Sequence, residues 1–124
     1  MTDLTQTTFT ATTSDPTRVG IVVFHATWCA PSRSQLALLD RLAAGFAGKP
    51  VFIARVDVDA EPELADRYEI RTLPSTLLMA AGETVELLVG YQAEEFLKSY
   101  LEQLLEALPP AASPPPSAAP PSAS

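Results

Sequence analysis

Two short apolar runs constrain the fold of this chain more than any other feature. Ile21-Val22-Val23-Phe24 follows Gly20, and Val51-Phe52-Ile53-Ala54-Arg55-Val56 follows Gly48-Lys49-Pro50. Both are rich in β-branched residues and too short to be helices. Neither alternates apolar with polar, so each suits a strand buried on both faces. Between them, Pro31 sits where a first helical turn tolerates proline. Leu36, Leu39, Ala43 and Phe46 then recur at helical spacing, and Gly45 and Gly48-Lys49-Pro50 stop the helix. Strand, helix and strand in that order form a crossover unit with parallel strands, whose helix covers one sheet face. The fold class is therefore layered α/β.

The rest of the chain extends this unit. Pro62 to Tyr68 reads as a short helix that starts in acidic residues and ends before Arg71-Thr72-Leu73-Pro74. Ser75 to Met79 and Thr84 to Val89, joined through Ala81-Gly82-Glu83, have the composition and spacing of an antiparallel hairpin, which makes the sheet mixed. From Ala93 the chain is helical again. Phe96, Leu97, Tyr100, Leu101, Leu104, Leu105 and Leu108 lie on one stripe, which covering the sheet should use. Before the first strand, threonines favour extended backbone, and Phe9 is placed to anchor a short helix against the core. The expected order is βαβαββα preceded by a short edge strand and helix. Residues 1–108 form one domain, and 109–124, built only from Pro, Ala and Ser, form a disordered, spacer-like tail in which Pro114-Pro115-Pro116 offers a second reading as a docking motif.

Composition excludes several functions. With 15 acidic residues against 8 basic the formal charge is −7, the wrong sign for sequence-independent nucleic-acid binding. One cysteine and one histidine supply neither a disulfide framework nor a structural zinc site. Asp57, Asp59, Glu61 and Glu63 cluster without the spacing of a calcium loop and read as a solvated strand end and helix start. No run approaches a membrane span and the first residues lack the pattern of a secretory signal. The expected compartment is the cytoplasm, where a lone thiol stays reduced.

Trp28-Cys29-Ala30-Pro31-Ser32-Arg33 follows a buried strand and opens a helix. Unpaired backbone N–H groups and the helix dipole there stabilise a thiolate, which is how a cysteine becomes a nucleophile. At these residues the sequence resembles the thioredoxin family, whose active-site pattern is Trp-Cys-Gly-Pro-Cys-Lys. Leu73-Pro74-Ser75 is similar to the family's cis-proline loop, Val56-Asp57-Val58-Asp59 to the end of its central strand, and Gly90 to the glycine after its hairpin. The resemblance spans roughly Leu4 to Leu108. It implies a thioredoxin-like fold, a central mixed sheet flanked by helices on both faces. It further implies that Cys29 attacks substrate disulfides and that Trp28, Ala30 and Pro31 shape the surface beside it. Pro74 should face Cys29 across a groove, with Leu73 offering its backbone to an extended client and Gly90 leaving room for it.

Ser32 stands where the pattern has its second, resolving cysteine. A hydroxyl cannot form a disulfide, though it can donate a hydrogen bond to a thiolate. The expectation is a monothiol protein whose mixed disulfides with clients or glutathione wait for an external thiol. No metal or bound cofactor is implied, glutathione or a protein thiol serving as co-substrate. Arg33 keeps a positive charge that favours the thiolate. Val23 replaces a buried family aspartate, His25 replaces an aromatic and reads as a packed or capped residue, and Arg55 is left to pair with Asp57 or solvent. The alternative is a redox-inactive module that binds peptides around Trp28, Leu73 and Pro74.

Overall fold

β2 (Val19–His25) is buried along its whole length and forms the spine of the molecule. On one side it pairs in parallel with β3 (Val51–Asp57), and on the other antiparallel with β4 (Ser75–Ala80). A two-residue strand, β1 (Thr2–Asp3), extends the sheet beside β3, and β5 (Glu83–Val89) closes the hairpin with β4. The computed structural model describes residues 1–108, so the proline-rich segment 109–124 lies outside the described residues. Among them the sheet has five strands in the order β1-β3-β2-β4-β5. Among the described residues four helices accompany the sheet: α1 (Phe9–Thr13), α2 (Ala30–Gly45), α3 (Pro62–Arg67) and α4 (Glu94–Ala107).

Alternation along β2 divides the core in two. Val19, Ile21 and Val23 pack with Leu38, Leu39, Leu42 and Phe46 of the α2 region and with Leu97 and Leu101 of α4. Val22 and Phe24 face the other way, onto Phe9 of α1 and Leu64 of α3. Helices therefore flank the mixed sheet on both faces, as the crossover unit and its resemblance imply. Burying a side chain the size of Phe9 is worth about 2 kcal/mol. That contact, together with the tilted packing of Phe9 on Tyr68, ties down a helix of only five residues.

Several details depart from the sequence reading. The buried stripe of α2 is Gln35, Leu38, Leu39 and Leu42, whereas Leu36 and Ala43 are only half-buried. On α4 the expected stripe is too wide. Leu97 and Leu101 are buried, but Phe96 is 46% exposed and packs edge-on against Tyr100 at the rim. The hairpin turn is the two-residue loop Ala81-Gly82, both at positive φ, the geometry that matches strand twist in tight hairpins. A side chain at Gly82 would also meet the Ser14 carbonyl oxygen at 2.8 Å.

Candidate active site at the N-terminus of α2

Cys29 is the N-cap residue of α2 and is half-buried. Its carbonyl already accepts the first helical bond, from the Arg33 amide, while its own extended backbone leaves the sulfur at the mouth of the helix. Pro31 follows within the first turn, where its missing N–H costs nothing. The long apolar stripe of α2 is sunk in the core, so the helix end that carries the sulfur is held rigidly.

The sulfur lies 3.8 Å from the Leu73 carbonyl oxygen, to which the thiol donates. The Leu73–Pro74 peptide is cis, and Pro74 is buried. Pro74 accepts a hydrogen bond from the Gly90 amide at 2.9 Å, which ties the segment after β5 to the same loop. Gly90 has φ +91°, the left-handed region that favours glycine, and the space a Cβ would fill is open. Trp28 is 68% exposed, and its indole N–H donates to Asp59 at 2.8 Å. Ala30, Pro31 and Arg33 are also exposed. The structure thus sets Cys29, flanked in sequence by the exposed Trp28, Ala30 and Pro31, against Leu73 of the cis-proline loop, and ties Gly90 to that loop through Pro74.

Ser32 is completely buried one turn into α2, and its Oγ has no hydrogen-bond partner among the described residues. While the sulfur keeps its proton and directs it at Leu73, this hydroxyl has nothing to donate to. Ionisation changes that, because a thiolate is an acceptor. The Ser32 hydroxyl and then the Ser32 backbone amide hold the Cys29 thiol below its ordinary pKa, with a smaller contribution from the Arg33 guanidinium and burial opposing them. Arg33 is itself braced by donating to the Thr27 carbonyl at 2.8 Å.

The neighbouring polar residues behave differently from expectation. Arg55 pairs with Asp3 of β1 and not with Asp57, and the contact lowers the Asp3 pKa. Three of the four residues of the acidic cluster have hydrogen-bond partners. Asp57 accepts from the Asp59 and Ala60 amides, Asp59 holds Trp28, and Glu61 accepts from the Gln6 amide. Among the described residues no group of three or more His, Cys, Asp or Glu side chains is placed to hold a metal ion. Nor is any described helix long and apolar enough to cross a membrane. Asp59 is a site residue that the sequence reading missed. Its only sequence signal is its place just beyond the strand that runs beside the active-site loop.

His25, at the end of β2, is packed as expected but not capped. It is 5% exposed, and neither ring nitrogen has a partner among the described residues. Burial pushes its pKa below the ordinary value, a shift that Asp57 and Asp3 oppose and Arg55 reinforces. The folded state therefore prefers the neutral ring, while the unfolded chain takes up a proton near pH 6.5. Stability from this group is present above that pH and is lost as the pH falls through it. Denaturant unfolding at pH 7.5 and 5.5 should show a drop on acidification that His25→Phe reduces. The variant should also gain about 1 kcal/mol at neutral pH by removing unpaired buried nitrogens. An equal drop in both proteins would contradict this account.

Residues 1–103 match the sequence pattern of the Thioredoxin family. The thioredoxin of Staphylococcus aureus strain COL is 37% identical over 87 residues, which cover 70% of this chain and 83% of that protein. A variant thioredoxin from Halobacterium salinarum NRC-1 superposes with a TM-score of 0.74 at 32% identity, covering 87% of this chain and 93% of its own. Chloroplastic thioredoxin z, at 22% identity, shares the fold with a TM-score of 0.77 over 86% of this chain and 95% of its own. With a lone cysteine following an exposed tryptophan at the start of α2, and a cis-proline loop opposite, the chain belongs to the thioredoxin family of thiol–disulfide oxidoreductases.

Proposed function

We propose that this protein exchanges disulfides with a single thiol. The Cys29 thiolate attacks one sulfur of a client disulfide, forming a Cys29–client bond as the client's other sulfur leaves as a thiolate. An external thiol such as glutathione or a protein cysteine then attacks the Cys29 sulfur and releases the client's second thiol. A second external thiol frees Cys29. In sum, one client disulfide and two thiols become a client dithiol and one new disulfide. The cycle needs no bound cofactor or metal, and it runs best in a reducing compartment such as the cytoplasm.

The observation that carries this reading is the environment of the sulfur. A half-exposed thiol at a helix N-cap, with the Ser32 hydroxyl and amide lowering its pKa, is built to ionise. A module that merely held peptides would gain nothing from that arrangement. Ser32, in the place of a resolving cysteine, supports the dependence on an outside thiol.

The rate of Cys29 alkylation against pH, followed by mass spectrometry, tests the reading directly. The expected midpoint lies clearly below the free-cysteine value of about 8.5. A midpoint at or above that value would remove the nucleophile and leave the peptide-binding module as the working description.

A further inference from the structure

We propose that Gln35 is a positioning residue that preforms the wall of the client groove opposite Cys29, an inference that rests on the thiol-exchange reading above. Gln35 is fully buried on α2, one turn beyond the buried Ser32, on a stripe that continues with Leu38, Leu39 and Leu42. An apolar residue would complete that stripe. Instead the side-chain amide reaches the loop between β5 and α4 and engages both backbone groups of one residue. Its Nε2 donates to the Gln92 carbonyl at 3.0 Å, and its Oε1 accepts from the Gln92 amide at 2.7 Å. The pairing satisfies all the polar backbone of Gln92, much as a neighbouring strand would.

Gln92 passes the restraint towards the groove. Its own side chain donates to the Val89 and Gly90 carbonyls at 3.3 and 3.2 Å. The Gly90 amide in turn donates to Pro74, beside the Leu73 carbonyl that faces the sulfur. A continuous set of hydrogen bonds therefore runs from α2 through Gln92 and Gly90 to the cis-proline loop. Within it, Tyr91 is held 52% exposed and Val89 is exposed too, so the segment that is tied to the cis-proline loop presents apolar side chains to solvent. Ordering this wall in the free protein lowers the entropic cost of receiving an extended client. Since Gln35 does not touch the sulfur, its effect falls on client binding and leaves the thiol alone.

The test compares the parent with Gln35→Met, which keeps length and volume but loses both bonds, and Gln35→Glu, which keeps the acceptor for the Gln92 amide. Each is assayed with insulin as protein client and with hydroxyethyl disulfide, which needs no groove, using excess dithiothreitol as external thiol. Hydrogen exchange of the Gln92 amide is read in parallel. For Gln35→Met, KM for insulin should rise about 10-fold with kcat little changed, the rate with hydroxyethyl disulfide should stay at the parental value, and the Gln92 amide should exchange faster. Gln35→Glu should fall between the two. An unchanged KM in Gln35→Met, or an equal loss with both substrates, overturns the positioning role. A parent that reduces neither substrate overturns the thiol-exchange reading and this role with it, whereas a parent active on both confines any failure to Gln35.

Discussion

Cys29→Ala should abolish capture of disulfide clients entirely while the protein stays folded. The chain has one cysteine, so no second sulfur can take over the attack. The fold does not rest on this side chain. It is half-buried at a helix mouth, outside both core clusters, and its backbone bonds to Ala26 and Arg33 survive the change. Urea unfolding of the variant should therefore lie within about 1 kcal/mol of the parent. Mixed disulfides with an oxidised client, resolved by mass spectrometry under non-reducing conditions, should appear with the parent and disappear with Cys29→Ala. Capture that persists in the variant would end the proposal that Cys29 is the nucleophile.

Ser32→Cys should produce the second large effect, in the opposite direction. Ser32 is fully buried and its hydroxyl is unpartnered among the described residues while Cys29 keeps its proton, so a thiol can replace it without orphaning a hydrogen-bonding neighbour in that state. Cys29 caps α2 and Ser32 lies in its first turn, three positions on, at the end of an anchored helix. An internal thiol so placed competes with external thiols at a far higher effective concentration, because well-oriented intramolecular reactions reach effective molarities of about 10⁵ M or more. The lifetime of the Cys29–client disulfide should shorten at least about 100-fold at millimolar external thiol. Stopped-flow or quenched sampling of the mixed disulfide measures this. An unchanged lifetime would show that Ser32 is not what makes release depend on an outside thiol.

What the sequence disclosed and what it hid follow a physical division. The β2 and β3 runs, the crossover helix and the hairpin are written in local patterns of apolar residues and turn chemistry, and they stand where those patterns place them. The Trp28-to-Arg33 stretch was legible for the same reason, since a strand end, a cysteine and a helix-starting proline are neighbours in the chain. The contacts that tune the site are not local. Trp28 meets Asp59 across 31 positions, Asp3 meets Arg55 across 52, and Gln35 meets Gln92 across 57. No periodicity encodes such partners. Phe96 misled for a related reason: helical spacing gives the direction of a side chain, but not whether another element lies across from it.

The acidity of Cys29 also binds chemistry to folding. A thiol whose pKa is lower in the native protein than in the unfolded chain stabilises the native state whenever it is ionised. That stabilisation is complete above the unfolded-state pKa and vanishes as the pH falls through the folded-state value. Any cap on the sulfur, whether an alkyl group or a bound client, removes it as surely as a proton does. Where the thiol is ionised, the free thiolate is thus favoured by contacts that a capped sulfur loses, and a captured client forgoes that stabilisation. Only the second external thiol, which frees Cys29, restores it, so the same contacts that sharpen the nucleophile make Cys29 a good leaving group in that last step.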